Sequence, residues 1–225
     1  LSLTLPEGLT KVGQYGFYAC ENVASYTLPE SLSSIEEYAF ANNKSLGSSL
    51  SIPDNVSQIS RFAFAGDYNL HYINFGASSQ LPRISYGAFA YTGLYQFTVP
   101  ASVSTIAQEA FIGSKQLSVM NFASNSQLST ISSYMFKGCE QLTQITFYSG
   151  SQLTSIQAHG FEGLSSLQVV DFGNAALTNI DNYAFRYCQS LNTLSIPEGV
   201  TYIGRFAFYG CSALTTLVLP TTIDF

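Results

Sequence analysis

Apolar residues along this chain recur on two interleaved patterns. One is a strict alternation over three or four residues, as in Leu3-Thr4-Leu5, Leu50-Ser51-Ile52, Phe97-Thr98-Val99 and Leu194-Ser195-Ile196. Alternation this short predicts a strand with one face turned inward. Several copies run into proline (Pro6, Pro29, Pro53, Pro100, Pro197, Pro220), which donates no backbone hydrogen bond and cannot continue a ladder. The other pattern is a hexapeptide that opens on Ile or Val and ends, usually after Ala or Gly, on Phe. It occupies Val12 to Phe17, Ile35 to Phe40, Ile59 to Phe64, Ile84 to Phe89, Ile106 to Phe111, Ile131 to Phe136, Ile156 to Phe161, Ile180 to Phe185 and Ile203 to Phe208, returning every 22 to 25 residues. Self-similarity at a fixed period in this range marks a solenoid.

Each period then reads as one coil: a strand, a polar turn, a second extended segment, and a compact, partly helical return that drops Ile, Ala and Phe inward. A further Leu follows six residues after most of the Phe positions, as at Leu46, Leu70 and Leu117. Leu94 comes one residue early, so the fourth coil carries a deletion. The predicted class is an α/β-type solenoid, mostly β with short turn-like return legs. Its ten alternating segments form a parallel concave sheet roughly 45 Å long at a strand spacing of about 4.8 Å. Residues 1–225 make a single solenoid of nine full repeats plus a terminal strand, read as a fragment of a longer protein. The Phe column becomes a continuous aromatic spine.

The repeat Val200-Thr201-Tyr202-Ile203-Gly204-Arg205-Phe206-Ala207-Phe208-Tyr209-Gly210-Cys211-Ser212-Ala213-Leu214-Thr215-Thr216-Leu217-Val218-Leu219-Pro220 resembles the BspA-like, or Treponema pallidum-type, leucine-rich repeat. The resemblance covers essentially the whole chain. It implies a leucine-rich repeat arc from a cell-surface or secreted protein, one engaged in adhesion to host or neighbouring-cell proteins or extracellular matrix. The family offers no common catalytic residues to carry over.

Composition narrows the classes of function. Only 10% of residues are charged, against 46% hydrophobic and 14% aromatic, and the net charge is −6. Ordinary soluble domains carry about 25% charged residues, so the polar surface here is built from Ser, Thr, Asn, Gln and Tyr. The eight basic residues are scattered, which argues against nucleic-acid binding. No run of about 18 apolar residues is present to span a membrane. His71 and His159 lie four coils apart, too far to share a metal or a proton relay. Glu36-Glu37 diverge, Asp54-Asn55 reads as turn chemistry, and no nucleophile elbow or phosphate-cradling glycine motif appears. The expectation is a non-enzyme without cofactor or metal.

Cys20, Cys139, Cys188 and Cys211 each fall three residues after a Phe, in a column shared with Asn43, Asp67, Thr92, Ser114 and Leu164. Small polar side chains in such a column are expected to satisfy buried turn backbone. The cysteines are therefore read as structural and free, although Cys188 and Cys211 occupy neighbouring coils. Tyr15, Tyr38, Phe62, Tyr134, Tyr183 and Phe206 share a column with His159 and read as half-buried.

The candidate binding residues are the outward strand positions that refuse to repeat: Tyr72, Asn74, Gln96, Asn121, Gln144 and Asp171. Towards the ends the same columns hold Ser and Thr, which also suit a merely solvated strand face. The predicted partner is a host or neighbouring-cell surface protein met by a monomeric module. A structural spacer and a glycan-binding repeat are the alternatives.

Overall fold

The structure of the chain, a computed structural model, describes residues 1–223. The expected solenoid boundary includes residues 224 and 225, which lie outside the described residues. Ten longer strands carry the alternating segments: β1 (Ser2–Thr4), β3 (Ser25–Thr27), β5 (Ser49–Ile52), β7 (Tyr72–Phe75), β9 (Gln96–Val99), β11 (Val119–Phe122), β13 (Gln144–Phe147), β15 (Val169–Asp171), β17 (Thr193–Ser195) and β19 (Thr216–Val218). Nine two-residue strands open the hexapeptides: β2 (Lys11–Val12), β4 (Ser34–Ile35), β6 (Gln58–Ile59), β8 (Arg83–Ile84), β10 (Thr105–Ile106), β12 (Thr130–Ile131), β14 (Ser155–Ile156), β16 (Asn179–Ile180) and β18 (Tyr202–Ile203). All pairing is parallel, coil to coil, and in register.

The expected continuous ten-stranded sheet is instead four ladders: β1–β3, β5–β7, β9–β11–β13–β15 and β17–β19. Every break falls where the later strand runs into proline, at Pro53, Pro100 and Pro197. Where Ala123 and Tyr148 stand in that place, their N–H groups bond to the carbonyls of Val99 and Phe122. Proline has no N–H to give, so the closing rung is missing. The pairs β1–β3 and β17–β19, which also meet prolines, are three residues long rather than four. The short strands form a five-stranded and a four-stranded ladder that part between β10 and β12. There the hydroxyl of Ser132, not a backbone amide, reaches the carbonyl of Ile106.

No helix occurs among the described residues, so the α/β label and the partly helical return are corrected. Along the return leg the backbone N–H groups alternate between the next coil and their own, and left-handed residues are set into this leg. Tyr15, Tyr38, Phe62, Gly87, Glu109, Tyr134, His159, Tyr183 and Phe206 all have φ between 55° and 63°. A left-handed conformation costs a non-glycine residue about 1–2 kcal/mol. Here it turns the N–H along the stack to a carbonyl of the next coil, as in Tyr15 to Glu37 (3.1 Å) and Tyr183 to Arg205 (3.0 Å). The spine does the same: Phe40 N–H bonds Ala63 and Phe64 N–H bonds Ala88 (2.9 and 3.0 Å). The intervening residues close four-residue turns within their own coil, such as Gly16 N–H to Gly13. An α-helix would spend these groups inside one coil, whereas this alternation spends half of them on the neighbour.

The inward Ile, Leu, Ala and Phe residues form one continuous core. The predicted spine is present: from Phe17 through Phe208 consecutive rings lie 5.0–6.1 Å apart. Outside it, Ser and Thr hydroxyls staple coil to coil, for instance Ser33 to Thr10, Thr154 to Ser129 and Thr178 to Thr154.

All four cysteines are free. The thiols of Cys139, Cys188 and Cys211 donate to the carbonyls of Phe111, Phe161 and Phe185 in the preceding coil (3.2, 3.2 and 3.1 Å). Burial pushes the thiols of Cys139 and Cys188 far above the ordinary range, and only thiolate reacts appreciably. Neither is therefore expected to react with a thiol reagent in the folded chain, and both are expected to react after urea is added. Cys139→Ser keeps the donation to the Phe111 carbonyl and should be near neutral. Cys139→Val removes one of the two donors to the Phe111 carbonyl, which keeps the Ser114 N–H, and should cost about 1 kcal/mol, measured by urea unfolding.

Candidate recognition surface

On the longer strands, residues with an inward neighbour on each side point out. Tyr72 and Asn74 are exposed on β7, Gln96 and Thr98 on β9. Asn121 is half-buried on β11, and Gln144 and Asp171 are exposed on β13 and β15. The register puts Asn121 beside Thr98 and Thr146, and Asp171 beside Thr146. The six predicted residues thus share one face but not one ladder. Tyr72 and Asn74 belong to β5–β7, and the other four belong to the four-stranded ladder.

Two of the six have structural employment. Gln144 lies over Thr146 and donates to its hydroxyl (3.0 Å), so Thr146, expected to point outward, is buried. Asp171 accepts the N–H of Gly173 (2.8 Å) and thereby shapes its own turn.

An open groove of about 510 Å³ crosses the seam between β7 and β9. Tyr72, Asn74, Gln96 and Thr98 form its floor, with Ser79 and Ser102 on the turns beyond, and its lining carries no charged side chain. Pro100 stands at this seam, where β9 cannot donate the closing rung to β7. A second groove lies across the β3–β5 seam, where Pro53 plays the same part, and it shares Asn74 with the first.

The structure also brings in Tyr95, which the sequence reading missed. Its ring stacks on His71 with centroids 4.2 Å apart and meets Tyr72 edge-on at 6.0 Å. Tyr95 stands one residue before Gln96, in a mixed column that also holds Ser48, His71, Ser118, Thr143, Gln168 and Asn192. The available signal was two aromatic rings, His71 and Tyr95, in the same column of adjacent coils. His71 thus flanks the groove through Tyr95, whereas His159 is half-buried on the return leg. There His159 stacks between Tyr134 and Tyr183 (4.6 and 5.0 Å), and its Nδ1 lies 2.6 Å from Glu162.

The aromatic return-leg column is a ladder of rings. Tyr15, Tyr38 and Phe62 stack in sequence, as do Tyr134, His159, Tyr183 and Phe206. Their faces are spent on one another. Arg186 adds a further tie, with its guanidinium 4.6 Å from the Tyr187 ring and hydrogen-bonded to Glu162. No group of metal-ligating side chains converges among the described residues, and no helix is long and apolar enough to cross a membrane.

Parallel in-register coils, an inward Leu/Ile/Phe lattice and a variable outer strand face define a leucine-rich repeat solenoid. The model of the BspA-type leucine-rich repeat region matches in six copies over residues 1–118 and 115–225, and the chain belongs to that family. Among solved structures it is similar to the leucine-rich repeat protein of T. pallidum, with a TM-score of 0.65 and 24% identity over 74% of this chain and 77% of that one. It is also similar to a leucine-rich repeat protein from Bacteroides ovatus (TM-score 0.56, 19% identity, 99% and 73% covered). A third likeness is to the pneumococcal vaccine antigen PcpA (0.58, 21%, 98% and 62%). These likenesses establish the fold. No curated protein matches the chain.

Proposed function

We propose that this chain is a non-catalytic recognition module of a cell-surface or secreted protein. It binds a protein on a host or neighbouring cell through the longer-strand face. The observation that carries the reading is the groove at the β7–β9 seam. It is an uncharged floor of Tyr72, Asn74, Gln96 and Thr98, flanked by the Tyr95–His71 stack and set on a rigid core. Tyrosine with amides and small hydroxyls is the palette of surfaces that recognise by shape and adaptable hydrogen bonding rather than by charge. Asn121, Gln144 and Asp171 extend the same face towards the C-terminus.

The test is binding of the labelled chain to intact cells and to immobilised matrix proteins, with a Tyr72→Ala/Asn121→Ala/Gln144→Ala variant beside it. The triple variant is expected to bind at least tenfold more weakly, a loss of about 1.4 kcal/mol or more, while wild-type binding changes little with salt. Equal binding by the variant removes this face as the site. The uncharged hydroxyl-lined groove also favours a second reading, a neutral glycan. Saturable binding on a glycan array, with none to protein, would select it. The absence of any binding partner in either format would leave the module a spacer.

A further inference from the structure

The column three residues after each Phe follows one rule. Its polar side chains accept the backbone N–H of the equivalent residue in the preceding coil or donate to a Phe carbonyl, that of the preceding coil for Ser114 and three cysteines and that of their own coil for Asn43 and Thr92. Ser114 shows both halves: its hydroxyl accepts from Thr92 N–H (3.2 Å) and donates to the Phe89 carbonyl (2.8 Å). The thiols of Cys139, Cys188 and Cys211 supply the same donation.

Asp67 occupies this column and shows only the accepting half. Its Oδ1 accepts the N–H of Asn43 at 2.8 Å. Its Oδ2 is buried without a partner, as are Asn43 Oδ1 and the Tyr26 hydroxyl. Both Asp67 and Asn43 are wholly inaccessible. An ionised carboxylate has no proton to donate, whereas a carboxylic acid does. The Phe40 carbonyl already takes the Asn43 side-chain amide, so the acceptor open to a neutral Asp67 is the unpartnered Asn43 Oδ1, on the residue whose N–H Asp67 already holds. We propose that Asp67 is a proton-holding latch in the core of the first three coils, closed while the carboxyl is neutral and loosened when it ionises.

The surroundings agree. The titratable group that faces Asp67 is Tyr26 from β3, which also lies beside Cys20 of the first return leg, while Thr92 in the following coil brings no charge. Lys44, next to Asn43 in sequence, reaches outward to Glu21 (2.7 Å). Burial drives the Asp67 carboxyl well above the usual carboxylate range, only partly opposed by the Asn43 N–H. A group whose folded pKa is raised holds more protons folded than unfolded. Its stabilisation is complete below the unfolded value, about 3.9, and is lost as pH rises towards the folded value. Across that window the unfolding constant rises by up to tenfold per pH unit, about 1.4 kcal/mol. Tyr26 also lines the groove at the β3–β5 seam, so loosening the latch disturbs that part of the strand face.

Carboxyl carbon NMR of the intact chain tests this directly, together with urea unfolding from about pH 4 to pH 8. One aspartate carboxyl should titrate well above the others in the wild type and be missing from the spectrum of Asp67→Asn. The wild type should lose stability with rising pH more steeply than Asp67→Asn or Asp67→Ser, and Ser is already a natural occupant of the column. Hydrogen exchange in the first three coils should quicken with pH beyond its intrinsic rate, while that in the last three should not. All aspartates titrating in the ordinary range, or equal pH slopes in the wild type and whichever variants fold, would overturn the proposal.

Discussion

Phe111→Ala is expected to destabilise the chain by about 3–5 kcal/mol, the cost of emptying a large aromatic site that cannot collapse. Phe111 is fully buried at the middle of the stack. Its ring lies 5.6 Å from Phe89 and 5.9 Å from Phe136 in the spine, and meets Phe97 of β9 edge-on at 4.9 Å. A solenoid coil touches only its neighbours, so stability is close to a sum of coil and interface contributions. Removing Phe111 weakens two adjacent interfaces at once and should split urea unfolding into two transitions, one for each half of the stack. Phe206→Ala, on the exposed end of the return-leg column (44% accessible), is the control and should cost about 1 kcal/mol or less. A Phe111→Ala loss no larger than that of Phe206→Ala would contradict the spine as the main support of the fold.

Gly93→Ala should cost about 3 kcal/mol, at the upper end for overpacking. A β-carbon there would lie 1.9 Å from the carbonyl oxygen of Tyr68 and 2.7 Å from its carbonyl carbon. Both are backbone atoms and cannot swing aside. The cause is the one-residue deletion that brings Leu94 early: the shortened coil closes only if Gly93 lies against the coil before it. Gly163→Ala meets nothing within 4 Å but has φ of +76°, so it carries only the left-handed penalty of about 1–2 kcal/mol. Circular dichroism under urea ranks the two. Gly93→Ala should also shift the His71 ring resonances, because the Tyr95 stack follows two residues later. An effect of Gly93→Ala below that of Gly163→Ala, with His71 unmoved, would show that the deletion is absorbed elsewhere.

Much of the candidate surface was legible because a repeat assigns each residue a column. Tyr72, Asn74 and Gln96 stood out as departures from Ser and Thr, and they line the groove. Tyr95 was missed because it precedes the strand in a mixed column, and only the stacking on His71 gives it a place at the site. Gln144 and Asp171 looked equally available in the sequence. Their hydrogen bonds to Thr146 and to the Gly173 amide depend on side-chain reach and turn shape, which a column alignment does not contain.

The sequence by itself determined the coil, its register and the inward lattice, since a period of Ile, Ala, Phe and Leu has one way to bury itself when copied and stacked. It also determined the role of the cysteine column, because Cys, Ser, Thr, Asn and Asp share the capacity to meet a buried amide or carbonyl. Tertiary structure alone decided how the sheet divides. Each proline was visible as the end of a strand, but Pro53, Pro100 and Pro197 stand at a seam whereas Pro29 and Pro220 follow strands that remain paired. Tertiary structure also decided the left-handed return leg, where aromatic residues accept an unfavourable backbone because the turned N–H finds a carbonyl one coil away. Both outcomes depend on backbone groups, which every residue but proline carries alike, and whose partners appear only when the coils are stacked.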